Sequence, residues 1–113
     1  MSIYKAEWAY DFICDLTLEE IRDSFNKAGP WEWQLRENYI QGWYLNVRPF
    51  EGVRLQIHEY PQAFIKGPRN EGFSTLIRIE GNSQYEKEEI DAVLQRLFHE
   101  IKVTDIKEIE PYD

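Results

Sequence analysis

The sequence predicts an α+β domain in which a mainly antiparallel sheet carries two helices on one face. Three observations lead there. Several runs alternate apolar and polar residues with period two, which suits half-buried strands. Two other segments space their apolar residues three and four apart behind a capping-box pattern, which suits amphipathic helices. Turn residues join the middle alternating runs closely enough to make hairpins.

From Ile3 to Cys14, the residues Tyr4, Ala6, Trp8, Tyr10 and Phe12 alternate with Lys5, Glu7 and Asp11, predicting the first strand. Thr17 and Glu20 form a capping box, and Leu16 is placed to pack on Ile21 as a hydrophobic staple. Leu18, Ile21, Phe25 and Ala28 continue at helical spacing, and Gly29-Pro30 ends a helix over residues 18–28. Trp31, Trp33 and Leu35 open a second strand that runs irregularly through Asn38 and Gly42 into Trp43, Leu45 and Val47, as one bent strand or two. Trp33 and Trp43 are expected in the core.

Residues 48–52, Arg-Pro-Phe-Glu-Gly, form a turn, after which Val53, Leu55 and Ile57 alternate with Arg54, Gln56 and His58. Opposed residues on paired strands share a face, so the apolar sets of both arms must coincide. Pairing Val47 with Val53 achieves this. Tyr44 then lies opposite Gln56, Asn46 opposite Arg54 and Gly42 opposite His58 on the outer face. Residues 61–72 are rich in Pro and Gly and predict a long hairpin loop. Phe73 to Glu80 gives another strand, with Phe73, Thr75, Ile77 and Ile79 on one side.

Ser83 and Glu86 form a second capping box before a helix whose stripe is Ile90, Val93, Leu94, Leu97, Phe98 and Ile101. Val103 to Ile109 reads as a final edge strand, since it carries Asp105, Lys107 and Glu108. The order β-α-β-β-β-α-β over residues 1–113 is expected to make one two-layer sandwich similar to the ferredoxin-like arrangement, with the second sheet face open.

The chain has 113 residues, 15% of them aromatic, and a net charge of −8, so it is long enough for one core and is not composed like a disordered segment. The absence of a long apolar run and of a signal-like start gives a cytoplasmic expectation with no membrane partner. The lone Cys14 excludes an internal disulfide, and it lies next to Asp15 with no positive neighbour in sequence to favour a thiolate, so a structural, inert role is expected. Residues 1–35 carry −4, residues 36–79 carry +2 and residues 80–113 carry −6, so the acidity belongs to the helical flanks.

No nucleophile–base pair, phosphate loop or metal-ligand spacing is present, and no cofactor or metal is expected. The acidic pairs Glu19-Glu20 and Glu88-Glu89 fit solvated helix starts near the positive dipole end. The register instead collects Tyr44, Arg48, Arg54 and His58, with Arg78 beside them, into a mildly basic patch on the outer sheet face. Guanidinium groups so placed suit a carboxylate or phosphate. Tyr39, Phe64 and Ile65 are further interface candidates in irregular segments.

Gly72-Phe73 opening a strand after Arg69 is similar to the start of the RNA-recognition signature. Thr75 and Arg78 replace the later aromatics, and Glu71 replaces a base, so nucleic-acid binding is not expected of a −8 chain. The expected function is a noncatalytic protein-interaction module of inhibitor or immunity-like profile, with a protein partner or self-association. The alternative is a small anionic ligand, or a modest enzyme, on the open sheet face.

Overall fold

A computed structural model of the chain describes residues 3–39, 42–59 and 72–111. The elements are β1 (Tyr4–Ile13), α1 (Leu18–Ala28), β2 (Gln34–Asn38), β3 (Gly42–Phe50), β4 (Val53–Glu59), β5 (Gly72–Glu80), α2 (Lys87–Glu100) and β6 (Thr104–Ile109). The expected 61–72 loop, with Phe64 and Ile65, lies outside the described residues apart from Gly72. The fold is α+β, with six antiparallel strands in the order β2-β3-β4-β5-β1-β6. This corrects the expected order: the irregular stretch after Trp33 resolves into two strands, β2 and β3, so the sheet has one strand more than the β-α-β-β-β-α-β reading and is not strictly ferredoxin-like.

α1 begins at Thr17, whose hydroxyl accepts from the Glu20 N–H at 3.2 Å while the Glu20 carboxylate accepts from the Thr17 N–H at 2.9 Å. Its end is set by Gly29, at φ 68°, whose N–H donates to the Phe25 carbonyl. α2 departs from the expected cap. Glu86, not Ser83, is its N-cap, with Glu89 accepting from the Glu86 N–H. Ser83 instead accepts from the Tyr85 N–H in the preceding turn.

The two helices pack against each other, and Arg96 of α2 donates to the Gly29 carbonyl at the end of α1. Leu18, Ile21 and Phe25 of α1 and Ile90, Leu94, Leu97 and Phe98 of α2 join the inner strand positions in one buried cluster. Phe98 meets Phe12 at 4.9 Å and Tyr10 edge-on at 5.9 Å, and Phe25 meets Trp33 at 5.2 Å between ring centres. Asn26 holds Trp33 by both backbone groups, accepting from its N–H and donating to its carbonyl. Asp91 of α2 accepts from both Trp8 Nε1, at 3.0 Å, and Tyr10 Oη, at 2.8 Å. Cys14 is buried just past β1, and its thiol donates to the Ile101 carbonyl at the C-cap of α2.

Trp43 corrects the sequence expectation. It lies on the helix side of the sheet, as its alternation with Tyr44 requires, yet it is 53% exposed. Its position at the end of β3, opposite Glu37, leaves it beyond the helical cover. The hairpin register differs too. Val47 pairs with Leu55 and Leu45 with Ile57, two positions from the expected pairing. The turn is tighter than expected, Glu51-Gly52 with Gly52 at φ 82°, and brings Phe50 opposite Val53. The extra residue is absorbed between Val47 and Phe50, where Pro49 has no N–H to give to the ladder. A shift of two preserves the faces, so the outer set survives with new partners.

Candidate functional site

The outer face is best described in rows running across the strands. One row is Arg36, Tyr44, His58, Ser74 and Asp11, from β2 to β1. The next is Gln34, Asn46, Gln56, Leu76 and Ala9. Beyond it Arg54 faces Arg78, which faces Glu7. The half of the face formed by β2, β3 and β4 is therefore built from amides, arginines and a tyrosine–histidine pair.

All five sequence-derived candidates lie on or beside this face. Tyr44 stacks on its cross-strand partner His58, with ring centres 5.0 Å apart and planes 19° from parallel. The Gln56 amide, oriented by its hydrogen bonds, accepts from Arg54 and presents its nitrogen to His58 Nε2 at 3.3 Å. In that orientation the amide nitrogen donates toward His58 Nε2, which suits a neutral ring. Burial pushes the His58 pKa below its ordinary value, and the Arg54 charge pushes it the same way.

Arg54 and Arg78 are directly opposed like charges, an unfavourable pairing unless something compensates. Arg78 has compensation: Nε meets Glu7 Oε2 at 2.5 Å, and the guanidinium lies over the Tyr4 ring. Arg54 has the neutral Gln56 amide. Arg36, donating to Gln34 Oε1 at 2.6 Å, Arg48 and Arg54 reach no carboxylate among the described residues, although the chain carries 21 acids.

These three arginines line an open cleft of about 460 Å³ together with Glu32, Gln34, Tyr44, Asn46 and Val47. Asn46 is buried and Arg36 and Arg48 are exposed, so a buried amide lies among exposed cations. Arg48, Arg54 and Arg78 also border a smaller hollow of about 110 Å³ with Tyr4 and Glu80. Such a surface is suited to hydrogen-bonding carboxylates or phosphates in bidentate fashion.

Sequence reasoning placed Asn46 on this face but missed Arg36 and Gln34 as part of the constellation. The parity of Gln34 and Arg36 was visible, but their face followed only once β2 was paired to β3. Among the described residues, no cluster of three or more His, Cys, Asp or Glu has metal-binding geometry, and no helix is long and apolar enough to cross a membrane. No protein-family model matches the chain, and no curated protein matches it at a significant level.

Proposed function

We propose that this protein is a noncatalytic interaction module whose outer sheet face receives an acidic stretch of a partner protein. The observation that carries this is the trio Arg36, Arg48 and Arg54 around an open polar cleft, without a carboxylate partner among the described residues. Guanidinium forks bind carboxylates with directional hydrogen bonds, and the neighbouring amides of Gln34, Asn46 and Gln56 supply donors and acceptors for the rest of a chain. The −8 molecule attracts partners of net positive charge at long range, while the basic face selects a local acidic stretch at contact. The cleft is shallow and polar, unlike the apolar concavity that usually encloses a small substrate.

The test compares wild type with the charge-reversed pair Arg48→Glu and Arg54→Glu in quantitative affinity capture from a native lysate. A specific partner set that disappears with the variant is the expected result. An unchanged set, or no specific partner, overturns the proposal.

A second reading rests on the smaller hollow, where Arg48, Arg54 and Arg78 converge with Tyr4. It takes a small dianion. Thermal unfolding across a panel of phosphates and carboxylates tests it, since a ligand at 100 times its dissociation constant adds about 2.7 kcal/mol. No shift with any anion removes this reading.

A further inference from the structure

The two edges of the sheet are unlike. At the β6 edge, Asp105 sits at φ 51°, Lys102 just before it at φ 56°, and the pairing with β1 slips between Asp11 and Ile13. Irregular backbone and the charges of Asp105, Lys107 and Glu108 discourage any further strand there. The β2 edge carries the charges of Arg36 and Glu37 but lacks the irregular backbone. Its five residues pair with β3 in unbroken register, from Gln34 opposite Asn46 to Asn38 opposite Gly42, with no proline and no bulge. It is also open, since Gln34, Arg36 and Glu37 are exposed and Leu35 is half-buried.

We infer that β2 is an acceptor edge, on which a partner segment alternating acidic and apolar residues adds as a further antiparallel or parallel strand. This rests on the acidic-partner reading above and specifies its mode of docking. An added strand lies about 4.8 Å from β2 and sends successive side chains to opposite faces. Those on the outer face stand beside Arg36, the end of the Arg36, Tyr44 and His58 row, and acidic residues fit there. Arg36 is already held along the strand by Gln34, so its guanidinium is presented at the edge rather than folded away.

Side chains on the helix face stand beside Leu35 and the exposed Glu37, with the half-exposed Trp43 one strand further in, so an apolar residue fits next to Leu35 and a polar or basic one next to Glu37. A flank of the same segment continues past Gln34 into the cleft lined by Arg48 and Arg54. A second copy of the chain suits the edge less well, because symmetric antiparallel pairing centred on Arg36 sets two guanidiniums directly opposite each other.

A random peptide display library selected against the full chain tests the inference, followed by amide hydrogen exchange and affinity measurement on the peptides recovered. The expected peptides alternate acidic and apolar residues and slow exchange at β2. Their affinity falls about tenfold or more with Arg36→Glu, and also when the pairing amides of the peptide are N-methylated. Arg36→Gln, which keeps the polar side chain, controls for folding alongside a thermal unfolding curve.

Acidic peptides that depend on Arg48 and Arg54, but neither protect β2 nor respond to N-methylation, overturn the edge mode and leave the acidic-partner reading standing. Peptides indifferent to all three arginines overturn both. Recovery of no peptide, or protection of β2 by self-association alone, overturns the edge inference.

Discussion

Asp91 ties α2 to the sheet by polarity rather than packing, and its removal gives the sharpest energetic test of the fold. One carboxylate oxygen accepts from both Trp8, 2% exposed, and Tyr10, 8% exposed. Asp91→Ala leaves two buried donors without an acceptor, each costing about 1–3 kcal/mol, and some solvent entry into the vacated space reduces the total to about 3 kcal/mol. Asp91→Asn keeps a carbonyl oxygen in place and loses mainly the charge assistance, about 1 kcal/mol. In a Tyr10→Phe background one of the two donors is already gone, so Asp91→Ala becomes cheaper by about 1 kcal/mol. Urea unfolding followed by tryptophan fluorescence measures all four variants. If Asp91→Ala and Asp91→Asn cost the same, and the cycle with Tyr10→Phe shows no coupling, the anchoring argument is refuted.

Other variants test separate parts of the structure. Thr75 is fully buried and its hydroxyl has no partner among the described residues, so Thr75→Val should raise stability by about 1 kcal/mol in the same urea assay. Burial and then the Asp91 hydrogen bond raise the Tyr10 pKa, so its share of stability is complete below the unfolded value of about 10 and is lost as pH rises further. Wild type should therefore lose stability above that pH more steeply than Tyr10→Phe. His58 has the opposite sign: its folded pKa is lowered, so its contribution is present above the unfolded value of about 6.5 and declines as pH falls through the folded one. A His58 imidazole that titrates by NMR at or above about 6.5 contradicts the neutral, Gln56-bonded ring. Trp33→Ala should cost about 3–5 kcal/mol, whereas Trp43→Thr should cost under about 1 kcal/mol because half of that ring is already in water.

Much of the fold was legible because parity and helical spacing are local properties. Leu18–Ala28 was predicted to the residue by the Thr17 capping box and Gly29. The outer-face candidates survived a register error of two, since moving an even number of residues does not change which side a strand residue faces. What escaped depends on neighbours remote in sequence. Trp43 had the right parity for burial, but burial also requires a helix above it, and the extent of the helical layer is not written in β3. The separation of β2 from β3 rests on residues around Tyr39 and Gly42 that carry only a weak turn signal, so Arg36 could not be assigned to the site. The second capping box failed because two overlapping patterns, Ser83 to Glu86 and Glu86 to Glu89, compete for one helix start, and packing of Ile90 selects the later. The partnership of Asp91 with Trp8 and Tyr10 spans more than eighty residues and has no local signature.

The placement of Cys14 makes the chain carry its own chemical clock. Burial pushes its thiol pKa upward, and the sulfur is closed into the seam between the end of β1 and the last turn of α2, so an alkylating reagent waits for that seam to part. With no second cysteine to compete, the labelling rate under native conditions reads the opening equilibrium of a single corner of the molecule. Compared with the denaturant midpoint, it tells whether β6 and the end of α2 detach on their own or only when the whole sheet comes apart.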